Sequence, residues 1–589
     1  MMHFRACYPS FRPCWFIVVL LALAGATGCE RSQNPATQVT PAPASAVNVE
    51  WGRFVDDFID AYFIANPSFA AAQGRHEFDG QMPDWSAAGI GREIARLEQA
   101  RTRAAQFQAS TLSPEEDFQR DYIVSVIDRD LFWLREARQP FNNPAWYFDN
   151  GLDPSTYVDV PYAPPSQRLR AFIKYARQIP ALTAQIRENL QAPLPRSYVE
   201  YGSKSFAGFA RFYRNDVPRA FAEVQDASLQ QELSEVIEPA AAAMVDLAKW
   251  LDGRDDALEG GYALGVERFG AMLRMTEGVT TPLTRIEAIG RADLERNLTA
   301  LEDVCRRYAP NATLEACVAS TNAAKPTGSV VAEAARQLVR LRQFVIENSV
   351  VTVPGMEEAV VREAPAYRRQ NFAYINIPGP YEKDLPSVYY IAPPDPSWPP
   401  REQQAYIPGK ADLLFTSIHE VWPGHFLQFL HSNRSPWRFG QLFIGYGFAE
   451  GWAHYAEELM IEKGLAREAP ELHIGQLLNA LLRNVRYMCA IGLHTQGMTM
   501  QQCEQMFREQ AFQDEGNARQ QAARGTYDPA YLNYTMGKLM IRKLRTDWSR
   551  SRGGEQAWKQ FNDEFLSYGG PPIPLLRARM LPGEKGELF

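Results

Sequence analysis

The sequence has no excess of positive charge. Its 589 residues include 61 lysines and arginines against 69 aspartates and glutamates, a formal net charge of −8. It also contains no long run of one charge sign and no repeat of fixed period. A chain without a basic patch lacks the electrostatic footprint of a nucleic-acid-binding protein. We therefore expect no nucleic-acid partner, and a chain of this length can bury a large globular core.

The sequence also lacks an apolar run of the roughly 20 residues that a transmembrane helix needs. Its strongest apolar run, CWFIVVLLALAGA, is shorter; it follows Arg5 and Arg12 and leads into ATGC, which ends at Cys29. A basic start, an apolar centre and small residues before a cut site are typical of an export signal. The segment resembles a bacterial lipoprotein signal, in which Cys29 becomes the lipid-bearing first residue. Ala26 stands where such signals usually carry an aliphatic residue, and ordinary signal cleavage nearby is the alternative.

These features divide the chain into three predicted parts. Residues 1–28 form a lipoprotein-type signal peptide, and residues 29–48, rich in Pro, Ala, Ser and Thr, form a flexible tether. Residues 49–589 form the folded domain. The protein is then exported to the periplasmic face of a bacterial cell envelope and held at the membrane by a lipid anchor on Cys29.

No pair of cysteines has the C-x-x-C spacing, which argues against a thiolate zinc site or a thioredoxin-type redox motif. Loss of the signal removes Cys7 and Cys14. The folded domain keeps four cysteines: Cys305, Cys317, Cys489 and Cys503. In an oxidising compartment they permit two disulfides, most simply Cys305–Cys317 and Cys489–Cys503, and isolated buried thiols are the alternative.

Alternating strand patterns are rare between residues 50 and 350, where helical periodicity dominates. An amphipathic helix that stops at Pro67 is predicted at the start of the domain. Its apolar face consists of Trp51, Phe54, Val55, Phe58, Ile59 and Phe63. A later helix, RLRAFIKYARQIPALTAQIRENL, carries a predicted kink at Pro180. The pieces AYINIPGP and SVYYIAPPDPSWPP predict short edge strands. YYIAPP either pairs with an extended substrate or is structural. The pattern predicts a mainly α domain with a small β element.

Histidines are scarce and clustered. Six of the eight lie within 76 consecutive residues: His419, His425, His431, His454, His473 and His494. His419 begins HEVWPGH, in which the usual second histidine of an H-E-x-x-H zinc helix is replaced by Pro423. Residues six apart on a regular helix differ by about 240° and cannot share a metal. Because Pro423 cannot continue the helix and Gly424 tolerates unusual backbone angles, we predict a break that returns His425 to the side of His419.

A third metal ligand is predicted on the following helix, GFAEGWAHYAEEL. Glu450, His454 and Glu457 share one face there, at spacings of four and three. A catalytic zinc takes three protein ligands and keeps one position open. We predict one Zn²⁺ per chain, bound by His419, His425 and Glu450, with Glu420 as the general base; other divalent metals remain alternatives.

The paired motifs HEVWPGHFLQ and EGWAHYAE resemble the H-E-x-x-P-G-H…E-G-W-A-x-Y-A-E signature of a bacterial family, the domain of unknown function 885. Supporting similarity covers most of the mature chain and includes GLHTQG at 492–497 and YTMGKLMIRKLR at 534–545. The resemblance implies a large helical, zincin-like catalytic domain over 49–589, with a deep cleft and the motifs between 411 and 545. It also implies gluzincin carboxypeptidase-like zinc chemistry on His419, His425, Glu450 and Glu420.

Several further residues are predicted to support this chemistry. Tyr534 or His494 would stabilise an oxyanion, with a carbonyl-capping role as the alternative for His494. His454 and Glu457 would support the ligands, His454 alternatively as an extra ligand. Arg483, Arg542 and Arg545 would bind a substrate carboxylate, with a solvated basic face as the alternative for the cations that follow Tyr534.

The predicted function is zinc-dependent hydrolysis of short peptides, in a carboxypeptidase- or dipeptidase-like manner. One alternative is a metal-dependent amidase acting on cell-wall peptides. Another is a non-catalytic envelope lipoprotein that retains the fold; the presence of Glu420 argues against it, because a structural zinc site needs four ligands and no general base.

Overall fold

The structure, a computed structural model, describes residues 49–365, 369, 372–382, 384–584 and 586–589. The predicted signal peptide, the tether and Cys29 lie outside these residues. Asn48–Phe589 fold into one compact unit. Among the described residues, every helix is too short or too polar to cross a bilayer.

Helices dominate the described chain, and short 3-10 and π turns join several of them. The helices before the sheet are α1 (Val49–Ala65), α2 (Pro67–Ala72), α3 (Ala87–Gln106), α4 (Pro114–Leu131), α5 (Gln139–Asn142), α6 (Ala145–Tyr147), α7 (Ser155–Asp159), α8 (Pro165–Ala176), α9 (Ile179–Asn189), α10 (Arg196–Ala220), α11 (Ala227–Asp252), α12 (Val266–Glu277), α13 (Leu283–Tyr308), α14 (Leu314–Ala323) and α15 (Val330–Glu347). The helices after it are α16 (Pro400–Tyr406), α17 (Lys410–Glu420), α18 (His425–Ser432), α19 (Arg438–Leu442), α20 (Tyr446–Glu462), α21 (Pro470–Thr495), α22 (Met500–Gln510), α23 (Glu515–Tyr527), α24 (Asn533–Arg550), α25 (Trp558–Ser567) and α26 (Ile573–Met580). The prediction of a mainly α fold with a small β element is confirmed.

The predicted first helix forms as α1, and its apolar face is buried at Trp51, Phe54, Phe58, Ile59 and Phe63. The predicted kink at Pro180 is instead a break between α8 and α9. Pro180 lies in the first turn of α9, where its missing N–H leaves no hydrogen bond unmade.

Along the chain, a three-stranded sheet lies between α15 and α16. Its strands are β1 (Ala359–Glu363), β2 (Ala373–Asn376) and β3 (Ser387–Ile391), in the order β1-β3-β2. β3 pairs parallel to β1 and antiparallel to β2. Because β3 is central and hydrogen-bonded on both sides, the suggestion that YYIAPP pairs with a substrate is wrong and its role is structural.

The two larger hydrophobic cores both contribute residues to the lining of a cleft. The larger joins α1, α3 and α4 to the helices from α12 onward, and the smaller holds α8 to α11 around Phe172, Tyr175 and Tyr213. The cleft has a volume of about 3300 Å³. Its lining includes residues of α1, α3, α10, α17, α20, α21, α23 and α24, together with residues 372–377.

Both predicted disulfides are present. Cys305–Cys317 links α13 to α14, and Cys489–Cys503 links α21 to α22. α21 forms part of the cleft wall, so the second disulfide joins that wall to its neighbouring helix.

Candidate metal centre

The predicted helix break is confirmed between α17 and α18. α17 ends at Glu420, Val421 leaves the helical region (φ −125°, ψ −74°), and α18 begins at His425. The peptide bond between Trp422 and Pro423 is cis. In a straight helix the two histidines would point in nearly opposite directions. The turn brings both to the same side.

The turn depends on close backbone approach at Gly424. The Gly424 N–H donates to the carbonyl oxygen of Ile418 at 2.9 Å. A Cβ atom at this position would lie 1.8 Å from the carbonyl oxygen of His419. The indole N–H of Trp452 on α20 donates to the Pro423 carbonyl at 2.8 Å and holds the turn against α20.

The three predicted ligands converge at the end of this turn. Nε2 of His419 lies 3.2 Å from Oε2 of Glu450, and Nε2 of His425 lies 3.3 Å from the same oxygen. One ligand atom from each residue lies within 4.8 Å of the others, and among the described residues no other group of three meets this condition. Tetrahedral zinc with ligand distances near 2.0–2.1 Å separates neighbouring ligand atoms by about 3.3 Å. The two nitrogen–oxygen spacings match this value, and two imidazoles with one carboxylate are a donor set that suits zinc.

Glu457 fixes the orientation of His419. Its Oε1 lies 2.8 Å from Nδ1 of His419, whose Nε2 faces Oε2 of Glu450 at 3.2 Å. A neutral ring that donates from Nδ1 to this carboxylate has its Nε2 lone pair free for a metal ion. Glu457 is fully buried and lies 3.1 Å from Nη2 of Arg483. Burial alone would raise the pKa of Glu457, but Arg483 and His419 outweigh it and lower that pKa. The predicted supporting role of Glu457 agrees with this placement.

Arg483 is not available as the predicted substrate clamp. Besides its contact with Glu457, its Nη1 donates to the carbonyl oxygen of Asn479 at 2.9 Å. Since protein groups occupy both ends of the guanidinium, the structure gives Arg483 the role of holding Glu457 ionised.

His454 contacts Glu457 rather than joining the ligand group. Its Nδ1 lies 3.5 Å from Oε2 of Glu457, and the ring is fully buried. Burial and the nearby Lys538 ammonium lower the pKa of His454 to about 3, so the ring is neutral. The alternative of an extra ligand is not supported.

Glu420 and Tyr534 both line the cleft, as their predicted roles require. Glu420 immediately follows His419, and burial raises its pKa. The Tyr534 ring stacks near His419, with centroids 6.1 Å apart and planes 17° apart. Burial, followed by the negative charge of Glu450, raises the pKa of Tyr534, so its hydroxyl remains a donor at neutral pH.

His494 is a structural residue, and its predicted catalytic role is wrong. The ring is buried outside the described lining of the cleft, where Nε2 donates to the carbonyl oxygen of Gly525 at 2.8 Å and Nδ1 accepts from the Leu264 N–H at 3.4 Å. Burial lowers its pKa to about 4. The alternative prediction, a histidine that caps a carbonyl, describes its contact.

The predicted carboxylate-binding roles of Arg542 and Arg545 are also wrong. Arg545 binds Glu462 at 2.6 Å and lies 3.6 Å from the ring centroid of Trp558. Arg542 lies 3.2 Å from Glu458. Neither is among the described residues of the cleft wall, because the turns of α24 beyond Tyr534 lead away from it.

Sequence reasoning missed two features near the centre. Lys538 is fully buried and binds Asp293 at 2.8 Å, so it is not part of a solvated face. Arg486 lines the cleft three residues after Arg483, on the same face of α21. Because Arg486 lies one helical turn beyond Arg483, helical spacing from Arg483 could have identified it.

Residues 67–580 match the family described as bacterial protein of unknown function (DUF885). No curated protein matches the chain at a significant level.

Two solved structures share the fold. One is a protein described as a candidate lipoprotein of unknown function from Shewanella oneidensis, with a TM-score of 0.74 and 22% identity, covering 90% of this chain and 99% of that one. The other is described as a candidate lipoprotein from Colwellia psychrerythraea, with a TM-score of 0.75 and 17% identity, covering 90% and 98%. With the match over residues 67–580, the chain belongs to the DUF885 family of bacterial proteins.

Proposed function

We propose that this protein is a zinc-dependent peptidase. The observation that carries the proposal is the convergence of His419, His425 and Glu450 on the wall of a large cleft, with Glu420 beside them. Three protein ligands with a side open to a cleft are typical of catalytic zinc sites. A bound zinc ion would act as a Lewis acid toward a scissile carbonyl and make an attacking water more acidic.

The residues around the ligands have complementary roles in the proposal. Glu420 accepts a proton from the attacking water and returns it to the leaving amine nitrogen. Tyr534 donates a hydrogen bond to the developing oxyanion. Glu457 orients the His419 ring through its contact with Nδ1.

The proposed substrates are short peptides, cleaved in a carboxypeptidase- or dipeptidase-like manner. Residues of both large hydrophobic cores line the cleft, and its volume of about 3300 Å³ accommodates a short peptide. Polar and charged side chains from several helices line it and suit the polar backbone of a peptide.

We also propose that the protein is exported and anchored in the cell envelope through Cys29. The lipoprotein-type signal in residues 1–28 supports this location. The two structurally similar proteins, each described as a candidate lipoprotein, agree with it.

The metal ligands are tested by measuring the zinc content of purified variants. We expect one zinc per wild-type chain and loss of zinc from His425→Ala and Glu450→Ala. His431→Ala is the matched control, because His431 lies on the same helix as His425 but binds the carbonyl oxygen of Thr352 instead. Full zinc occupancy in both ligand variants would show that the ligand set is wrong.

The reaction is tested with Glu420→Gln, assayed for new amino termini released from peptide and muropeptide libraries. We expect this variant to retain zinc and lose at least about 100-fold in activity, since it lacks the proton acceptor. Glu402→Gln, on the exposed rim of the same cleft, is the control and should remain active. Unchanged activity in Glu420→Gln would refute the mechanism, and products from muropeptides alone would favour the amidase.

A further inference from the structure

The cleft wall contains a buried arginine, Arg486 on α21. It is 8% exposed and lines the cleft. Its guanidinium carbon lies 4.9 Å from the centroid of the Tyr534 ring, and that ring stacks near the ligand His419. Arg486 therefore sits one aromatic ring away from the metal centre.

Two other arginines face the Tyr534 ring, and each has a carboxylate partner. Arg483 lies 3.1 Å from Oε1 of Glu457. Arg524 lies 2.9 Å from Oδ2 of Asp528. These two positive charges are therefore balanced within the protein.

Arg486 has no such partner. Its Nε donates to the side-chain oxygen of Gln521 at 2.8 Å, and no carboxylate of a described residue lies within 4.0 Å of its guanidinium. Burial, followed by the charges of Arg524 and Arg483, lowers the pKa of Arg486, as expected for a buried cation without a carboxylate partner. A buried cation without a counter-ion is costly, and a charged ligand removes that cost.

We propose that Arg486 binds the terminal carboxylate of a peptide and so restricts the enzyme to cleavage near the C-terminus of its substrates. The guanidinium fork matches a carboxylate in a bidentate arrangement. Since Arg483 and Arg524 are already neutralised, one positive charge remains, which suits a monoanion such as a carboxylate. This assignment rests on the proposed peptidase function and replaces Arg483, Arg542 and Arg545 as the carboxylate-binding group.

The position of Arg486 also limits where the cleaved bond lies. The Tyr534 ring lies near both groups: its centroid is 4.9 Å from the Arg486 guanidinium carbon and 6.1 Å from the centroid of the His419 ring. An extended peptide spans roughly 3.5 Å per residue. About three residues are therefore enough to reach from the metal centre to Arg486, as in a carboxypeptidase that releases one or a few residues.

The test compares matched substrates. An equimolar pool of Ala-Ala-Xaa-Ala peptides is prepared once as free acids and once as C-terminal amides, and kcat/KM is measured for each pool. We expect the zinc-loaded wild type to cleave the acids roughly 10- to 100-fold faster than the amides. Arg486→Gln should lose this preference through slower cleavage of the acids, with the amides little changed.

The control variant is Arg519→Gln. Arg519 also lines the cleft, but it is exposed and paired with Glu515 on α23. It should keep the preference for free acids. Equal cleavage of acids and amides by the wild type, or an undiminished preference in Arg486→Gln, would overturn the proposal.

A second variant separates loss of folding from loss of recognition. Arg486→Lys keeps the positive charge but not the fork, and should show a preference between those of the wild type and Arg486→Gln. If Arg486→Gln does not fold, as judged by its thermal unfolding, a full wild-type preference in the lysine variant would refute the bidentate contact.

A binding measurement tests the carboxylate site independently of the proposed peptidase activity. Glu420→Gln is titrated with the same two pools by calorimetry, alone and combined with Arg486→Gln. Tighter binding of the acids, lost in the double variant, would support the carboxylate site even if the wild type cleaved neither pool. Equal binding of both pools would overturn it.

Discussion

At the scale of single residues, the proposed metal centre depends on the groups that hold the candidate ligands as much as on those ligands themselves. Glu457 and Arg483 are buried beside His419 and contact its Nδ1, whereas its Nε2 faces Glu450. Glu457 was predictable because it lies seven residues after Glu450, two turns along the same helix face. Arg483 was assigned the wrong partner because its contacts depend on how α21 packs against α17.

The role of Glu457 leads to a prediction for metal affinity. Glu457→Gln should weaken zinc binding roughly 10- to 100-fold, because the neutral amide no longer stabilises the His419 ring in its metal-binding orientation. Competition with a zinc chelator measures the change. Glu468→Gln, at an exposed position beyond the end of α20, is the control. Wild-type affinity in Glu457→Gln would mean that the contact does not orient the ligand.

At the scale of elements, the site is made by a broken helix. α17 and α18 would form one helix if Pro423 and Gly424 allowed it, and the break places His425 beside His419. The break was predictable because the chemistry of proline and glycine is local. The orientation of α24 about its own axis was not predictable in this way. The same helix that places Tyr534 in the cleft turns Arg542 and Arg545 toward Glu458 and Glu462.

Gly424→Ala tests the break directly. The new Cβ would fall 1.8 Å from the His419 carbonyl oxygen, so the backbone must shift and carry His425 with it. We expect destabilisation of about 1–3 kcal/mol or more, together with reduced zinc content. Chemical unfolding and metal analysis measure the two effects.

Gly91→Ala is the matched control. Gly91 is exposed within α3, and a Cβ there meets nothing within 4 Å. This substitution should stabilise the protein slightly, by about 0.5–1 kcal/mol. If Gly424→Ala behaved like Gly91→Ala, close approach at the turn would not be what requires glycine.

At the scale of the whole molecule, buried polar groups join helices that are far apart in sequence. Glu277, at the end of α12, accepts hydrogen bonds from the Gly447 N–H at 3.3 Å and from the Asn533 side chain at 2.7 Å. It therefore ties α12 to the starts of α20 and α24. Burial raises the pKa of Glu277 to about 7.

This shift predicts how stability depends on pH. Between pH 4.5 and about 7 the folded protein holds a proton on Glu277 that the unfolded chain has released, so the contribution of this group to stability falls as pH rises. Glu277→Gln mimics the protonated form and should be more stable than the wild type above pH 7, by roughly 2–4 kcal/mol. At pH 4.5 the difference should vanish.

The free energy of unfolding, measured across pH 4.5–8 for both proteins, provides the test. Glu267→Gln, an exposed position in the same helix, controls for loss of a carboxylate from α12. A difference between wild type and Glu277→Gln that does not grow with pH would contradict the prediction.

The helical character of the chain, the two motifs that carry the candidate ligands and the break between His419 and His425 could all be predicted from the sequence alone. These follow from local periodicity and from the backbone chemistry of proline and glycine, which act within a few residues. Only the tertiary structure decided which face of each long helix meets the cleft, and therefore that His494, Arg542 and Arg545 lie outside its described lining while Arg486 lies within it. The orientation of a helix about its axis and the burial of its side chains depend on packing between segments hundreds of residues apart. A local sequence pattern therefore does not predict them.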